Sequence, residues 1–155
     1  TQVVSYSMLL NLASVCNADN ADILWGFISK YNKDNNKSDP LMNNLIIKAL
    51  QYYKDFIAPN KKYRIPDTNE INALKSLQKR LIKLNNSSDA QEIQSEVYET
   101  GKEFKYEELK DWFTALYQIL LGQTQGPRMG SFIAIYGCDQ TIDLINKAIG
   151  GELIN

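Results

Sequence analysis

The sequence contains no histidine, and this absence restricts the chemistry that the chain can perform. Histidine is the usual general base near neutral pH and the commonest protein ligand of zinc. The residues show no nucleophile–base constellation, and the paired carboxylates Glu107 and Glu108 would point apart on a helix. We therefore expect neither catalytic residues nor a metal site within these 155 residues.

Cysteines and long apolar runs are also scarce. Cys16 and Cys138 are too few and too far apart for a metal motif or a secreted disulfide framework, so we expect two reduced thiols in a cytoplasmic protein. No apolar run approaches the ~18 residues of a membrane span, and the N-terminus lacks the pattern of a signal peptide. Because the sequence begins with Thr1, we expect a piece of a longer protein.

Basic and acidic residues are nearly equal in number: the sequence has 17 basic and 18 acidic residues, for a net charge of -1. This balance excludes proteins whose whole surface seeks an oppositely charged partner, such as histone-like DNA-binding proteins. Any charge-based binding must then come from a local patch. A length of 155 residues with 44% hydrophobic residues suits one domain with its own core, and we expect that domain to span 1–155.

Apolar residues recur at three- and four-residue steps, which is typical of amphipathic helices. In the third helix, for example, this spacing predicts a buried stripe of Leu41, Leu45, Ala49, Tyr53 and Phe56. No alternating strand pattern competes, so we predict an all-α bundle of about seven helices. The predicted helices are Val3 to Val15, Ala21 to Tyr31, Pro40 towards Ile57, Asp67 to Leu84, Ala90 to Val97, Glu107 to Leu121 and Asp139 to Ile149.

Helix ends carry recognisable signals. Asp39 before Pro40 predicts a helix start, and Asp67 with Glu70 three residues later resembles a capping box. A second box is predicted at Ser88 and Gln91. We expect Gly101 to close the short helix that follows, in a left-handed conformation.

The stretch from Lys48 to Lys83 is locally basic, with nine basic residues against three acidic ones. Within it, two prolines bound the segment APNKKYRIP, which we expect to be an exposed loop. Cations there would meet phosphates while an aromatic face stacks a base of single-stranded RNA. The other interpretation is a solvated helix face and loop that serve solubility. The candidate RNA-binding residues are Lys54, Lys61, Lys62, Tyr63 and Arg64.

A second candidate is the motif GPRMGSF, in which Gly126 and Gly130 flank Arg128 at the start of an apolar helix. Glycines permit a close backbone approach, and a helix N-terminus favours an anion, so Arg128 could contact a phosphate or a base edge. Equally, the glycines could form a tight corner for helix packing, with Arg128 paired to a carboxylate. The glycine spacing does not fit a Walker phosphate loop.

Several segments together resemble the C-terminal part of class I lysyl-tRNA synthetases of the bacterial type. DWFTALYQILLG and GPRMGSF carry the most specific resemblance, and it extends over nearly the whole chain through VSYSMLLNLASVCNA, ILWGFISKY, YYKDFIAPNKKYR, EIQSEVYETGK and TIDLINKAI. The resemblance implies an α-helix cage that grips the anticodon arm of lysine tRNA and favours its uridines. The resemblance also implies that ATP and lysine bind a Rossmann-like catalytic domain of the parent enzyme. That domain is absent from this sequence.

The basic stretch and the resemblance together favour an RNA-binding module that needs no cofactor of its own, and the resemblance implies lysine tRNA, rather than DNA or a membrane, as its partner. Two alternatives remain open. A helical bundle can equally serve as a docking surface for another protein. An independent enzyme would require a catalytic constellation that these residues do not provide. The sequence does not determine an oligomeric state.

Overall fold

A computed structural model describes residues 4–31, 39–84 and 89–154. Eight α-helices and no strand occur in these ranges, which confirms the predicted all-α class with one helix more than expected. None of the described helices combines the length and apolar character that crossing a bilayer requires. The chain divides into two compact units, residues 1–61 and residues 62–155.

The first unit contains α1 (Tyr6–Cys16), α2 (Ala21–Tyr31) and α3 (Pro40–Tyr52). α3 packs against both α1 and α2. Asp39 caps α3 as predicted, because its carboxylate accepts hydrogen bonds from the N–H groups of Leu41 and Met42. α3 continues into a π-helical turn, Tyr53–Ile57, and a 3₁₀ turn, Ala58–Asn60. The core of this unit holds fully buried side chains that include Leu9, Leu12, Leu24, Trp25, Ile28 and Ile46.

The predicted buried stripe of α3 was wrong at its two ends. Leu41 is 79% exposed and Phe56 is 60% exposed, whereas Met42 and Ile46 are buried. Leu45 is only partly buried, and Ala49 and Tyr53 are buried as predicted. The buried face is therefore rotated towards Met42 and Ile46, and apolar side chains remain on the opposite face.

The second unit contains α4 (Thr68–Leu84), α5 (Ala90–Glu103), α6 (Leu109–Leu116), α7 (Met129–Tyr136) and α8 (Cys138–Ile149). α5 packs against α4, α6 and α7, and α4 also packs against α8. α6 continues into a second π-helical turn, Tyr117–Leu121, which Gly122 ends with a φ of 70°. The core includes Leu74, Leu77, Leu81, Ile93, Trp112 and Phe132, all fully buried.

The capping box at the start of α4 is confirmed. The Asp67 N–H donates to Glu70 Oε1 at 2.9 Å, and the Glu70 N–H donates to Asp67 Oδ1 at 2.8 Å. The predicted box at Ser88 lies outside the described residues. α5 is capped by Asp89, whose carboxylate accepts from the N–H groups of Gln91 and Glu92.

Gly101 does not end α5, so that prediction was wrong. The helix runs through Gly101 to Glu103, and the left-handed residue beyond it is Lys105, with a φ of 62°. A Cβ at Gly101 would lie 2.7 Å from side-chain atoms of Leu109 and Trp112. This glycine is therefore needed for the close packing of α5 against α6 rather than for a turn.

Candidate nucleic-acid interface

Lys61 closes the first unit with its side chain turned inward. Its ammonium donates to the carbonyl oxygen of Ser14 at 2.9 Å and to Asn17 Oδ1 at 3.3 Å, and lies 3.2 Å from the hydroxyl of Tyr53. Ser14 lies in the last turn of α1, where the negative end of the helix dipole attracts a cation. Partial burial lowers the pKa of Lys61. Lys61 therefore has a structural role at the end of α1, which leaves less of its charge for a phosphate.

Lys62 and Tyr63 begin the second unit against the end of the π turn Tyr117–Leu121. The Lys62 N–H donates to the carbonyl oxygen of Gly122 at 2.8 Å, while its side chain is exposed. The Tyr63 ring covers Gly122, where a Cβ would come within 3.1 Å of the ring. The backbone hydrogen bond thus fixes the start of the segment and directs one cation outward.

Arg64 is held by protein groups on both edges of its guanidinium. Nη1 and Nη2 donate to the two carboxylate oxygens of Glu70 at 2.8 and 2.7 Å, and Nε donates to Gln118 Oε1 at 2.8 Å. These hydrogen bonds from Arg64 lower the pKa of Glu70, against the opposing effect of burial. Arg64 therefore joins the loop to α4 and to the π turn after α6, with its fork occupied by a carboxylate.

Lys54 lies in the π turn Tyr53–Ile57, and its side chain is exposed. It borders a cavity of about 520 Å³ in the first unit, together with Asn17, Asn20 and Gln51. π turns inside helices often occur at functional sites. Lys54 thus remains an accessible cation beside this cavity.

The GPRMG motif forms the corner that leads into α7. A Cβ at Gly126 would lie 2.6 Å from the ring of Tyr117, and the Tyr117 hydroxyl donates to the carbonyl oxygen of Pro127 at 2.7 Å. A Cβ at Gly130 would lie 2.2 Å from the carbonyl oxygen of Ala90 on α5. The glycines therefore permit close packing, as one of the two interpretations proposed.

Arg128 stands at the start of α7 without capping it by its side chain. The N–H of Gly130 is already satisfied, since it donates to Gln94 Oε1 at 2.6 Å. The Arg128 side chain is exposed, and its Nη1 lies 3.4 Å from Ser131 Oγ. In the described part of the chain, Lys54, Lys62 and Arg128 form no ion pair with a carboxylate. These three candidates are the ones that keep an outward charge.

The second unit brings part of the predicted site together. Arg64 contacts Gln118, and the corner at Gly126 contacts the adjacent residue Tyr117. Both predicted elements therefore pack against the same π turn, although they lie more than fifty residues apart in the sequence.

Sequence reasoning missed a cavity of about 510 Å³ next to this corner. Its lining includes Tyr98, Lys110, Phe113 and Tyr117. One feature of the sequence could have indicated this cavity: the apolar face of the helix at Glu107 to Leu121 is broader than the face that packing against a single helix would bury. Phe113 and Tyr117 lie on that face but are only partly buried.

Comparison with known proteins identifies relatives over nearly the whole chain. It is 44% identical over 154 residues to a lysine–tRNA ligase of Roseobacter denitrificans, covering 99% of this chain and 29% of that protein. Lysine–tRNA ligases of Rickettsia felis and Rickettsia bellii are 42% and 41% identical, over 92% and 94% of this chain and 27% and 28% of their own lengths. No family model matches the chain, and no solved structure matches it significantly.

The chain therefore spans a little over a quarter of the curated relatives that it matches. Identity of 41–44% over at least 92% of the chain reflects common descent rather than shared composition. Over nearly its whole length, this chain is a homologue of a segment of the lysine–tRNA ligases.

Proposed function

We propose that this chain is the tRNA-binding part of a lysine–tRNA ligase of the class I, bacterial type, and that it corresponds to the C-terminal region. Its task would be to hold the anticodon arm of lysine tRNA while the parent enzyme joins lysine to that tRNA. The observation that carries the proposal is the 44% identity over 154 residues to a protein named lysine–tRNA ligase. The resemblance of the GPRMG corner and the preceding helix to that enzyme class supports the finer assignment.

The candidate residues fall into two groups, according to whether the side chain already binds another group of the protein. Lys54, Lys62 and Arg128 would contact phosphates or a base edge, because their charges point outward. Lys61 and Arg64 would hold the segment in shape and contribute to the local potential only. Tyr63, which is partly buried over Gly122, would offer a base the part of its ring that remains accessible.

The proposal assigns no reaction to the chain itself. Among the residues that the structure describes, no three His, Cys, Asp or Glu side chains are grouped as metal ligands. ATP and lysine would bind to other parts of the parent enzyme. Lysine-dependent exchange between ATP and pyrophosphate should therefore be undetectable with the 155-residue chain, and measurable turnover would contradict this division of labour.

Fluorescence anisotropy with labelled lysine tRNA tests the binding role directly. The expected result is saturable binding that weakens when the anticodon uridines are replaced by cytidines. Because cytidine presents a different hydrogen-bonding edge, each mismatched base should leave a polar group unsatisfied and lower the affinity by about 1–3 kcal/mol, or roughly 5- to 150-fold. Equal affinity for the two RNAs would contradict anticodon recognition.

A helical protein–protein interaction domain is the second candidate, and one observation favours it. The rings of Tyr52 and Phe56 lie 5.0 Å apart between centroids and are 45% and 60% exposed, so they form an accessible apolar patch that another protein could cover. If the chain binds neither tRNA but associates with the remainder of the parent enzyme, this docking role would replace the RNA-binding one.

A further inference from the structure

The cavity beside the GPRMG corner has a composition that suits a planar ligand. It measures about 510 Å³ and is lined by Tyr98, Leu109, Lys110, Phe113, Thr114, Tyr117, Thr124, Gln125 and Gly126. Three of these side chains are aromatic, and Lys110 is the one charged group among the described residues that line it. We call this cavity the ring pocket. Its volume lies in the usual range for sites that enclose a small organic group.

Helix packing fixes the first wall of the ring pocket. Tyr98 on α5 and Phe113 on α6 form an edge-to-face pair with centroids 5.3 Å apart. The buried Trp112 Nε1 donates to the carbonyl oxygen of Val97 at 2.9 Å, and Gly101 leaves room for α6 to approach. The residues next to Tyr98 and Phe113 are thus locked together, so the two rings keep their relative positions.

The second wall is fixed by Tyr117 and the turn that follows it. The Tyr117 hydroxyl donates to the carbonyl oxygen of Pro127, and its carbonyl oxygen accepts from the N–H of Gln123 at 3.2 Å. Gly126 lies so close to the Tyr117 ring that any side chain there would displace it. A pocket whose walls are held in place before binding spends less free energy on ordering when a ligand enters.

The accessible chemistry of the ring pocket matches one nucleotide of an unpaired strand. Tyr98 is 41% exposed, and an edge-to-face pair leaves ring surface on which another planar group can stack. Thr114, Thr124 and Gln125 supply hydroxyl and amide groups that donate and accept hydrogen bonds, as a base edge requires. Lys110, exposed at the start of α6, has no carboxylate partner in the described ranges.

We propose that the ring pocket holds one extruded nucleotide of the bound RNA, with its base stacked on the exposed ring of Tyr98 and its phosphate near Lys110. The inference rests on the proposed function, since it names where that function would read a single base. It assigns the pocket to a nucleotide within a strand rather than to a free nucleotide, because a lone lysine would hold a mononucleotide phosphate only weakly.

The test uses the full chain and stem-loop RNAs that carry the lysine anticodon, with 2-aminopurine placed at one loop position at a time. Stacking on a pocket ring should quench the fluorescence at one position. Tyr98→Leu should restore that fluorescence and weaken binding by roughly tenfold, whereas Tyr98→Phe keeps the ring and should bind like the wild type. Lys110→Ala should lower the magnitude of the salt slope by about 0.7, and Lys147→Ala, an exposed lysine of α8, should not.

The possible outcomes distinguish failure of the ring-pocket proposal from failure of the RNA-binding function. If Tyr98→Leu binds like the wild type while Lys62→Ala is weakened, the ring pocket is not part of the interface and the RNA-binding function stands. If no loop position is quenched, the nucleotide is not in the pocket. A titration with uridine monophosphate, followed by NMR, tests whether the pocket binds a free nucleotide. If it shifts the signals of Tyr98 and Phe113 at the same concentrations as the stem-loop does, the pocket is a free-nucleotide site and the proposal is wrong. Failure of the wild type to bind any RNA would instead overturn the function itself.

Discussion

Lys61 and Lys62 are neighbours of the same residue type, but their side chains differ in burial and therefore in their expected roles. The ammonium of Lys61 is turned inward to Ser14 and Asn17, whereas the side chain of Lys62 is exposed. We expect Lys61→Ala to lower the free energy of unfolding by about 1 kcal/mol, because it removes charge-assisted hydrogen bonds that are partly screened by solvent. Lys62→Ala should change it by less than about 0.5 kcal/mol. Urea denaturation of the two variants measures this difference.

RNA binding should show the opposite order. Lys62→Ala should weaken binding and lower the magnitude of the salt slope by about 0.7, while Lys61→Ala should leave that slope unchanged once the protein is folded. If Lys61→Ala lowered the slope as much as Lys62→Ala does, Lys61 would also contact a phosphate, as the sequence alone had indicated.

The ion pair between Arg64 and Glu70 should make stability depend on pH. Arg64 lowers the pKa of Glu70 below its ordinary value of 4.5 in the folded state, so the unfolded chain takes up the proton first as the pH falls. The stabilisation is therefore complete above about pH 4.5 and is lost as the pH falls through the lower folded pKa. Glu70→Ala also removes the cap on the Asp67 N–H.

We expect Glu70→Ala to cost about 2 kcal/mol at pH 7, less than a fully buried pair would because Arg64 is 39% exposed. The difference from the wild type should shrink at pH 3.5. Glu99→Ala is the matched control, since its ion pair with Lys102 is exposed on both sides and should contribute less than about 0.5 kcal/mol. A difference that is the same at both pH values would show that only the cap matters.

At the scale of single elements, two glycines within helices differ in what surrounds them. A Cβ at Gly130 would lie 2.2 Å from the carbonyl oxygen of Ala90, a backbone atom that cannot move without separating α5 from α7. For Gly26, inside α2, no atom other than its chain neighbours and the backbone of its own helix lies within 4 Å of the position where a Cβ would be. We expect Gly130→Ala to destabilise the protein by about 3 kcal/mol or more, because the overlap is with backbone. Gly26→Ala should stabilise it by about 0.5–1 kcal/mol through helix propensity.

Thermal and urea unfolding of these two variants provide the measurement. A neutral Gly130→Ala would show that α5 and α7 can separate without loss of free energy, which would contradict the close packing at this corner.

Local signals in the sequence predicted the elements better than their contacts. The bounds of α2 and the capping box of Asp67 and Glu70 depend on residues within a few positions of one another, so periodicity and caps were sufficient. The role of Gly101 was predicted wrongly, because the need for a glycine there comes from its contact with Trp112, a residue of the next helix. The ring pocket was missed for the same cause: Tyr98, Phe113 and Gly126 meet only after α5, α6 and the turn have packed.

At the scale of the whole molecule, the number of basic residues in a stretch is a poor guide to where RNA would bind. The stretch from Lys48 to Lys83 has nine basic residues, yet Lys61, Arg64 and Arg80 already bind protein acceptors. Fewer phosphate contacts should therefore form than the number of cations implies. Local geometry, rather than the basic stretch as such, should determine affinity.

Two double variants distinguish local contacts from the general field. Lys62→Ala with Arg128→Ala removes two charges from the proposed interface, and Lys75→Ala with Lys79→Ala removes two exposed charges from α4. If each interface cation contacts one phosphate, the first pair should lower the magnitude of the salt slope by about 1.4. Its two single effects on the binding free energy should also add. The second pair leaves the contacts intact and should change only the weak long-range attraction, which salt screens within about 10 Å at 0.1 M. Equal losses for the two pairs would mean that the RNA responds only to total charge, and the assignment of Lys62 and Arg128 to the interface would then be wrong.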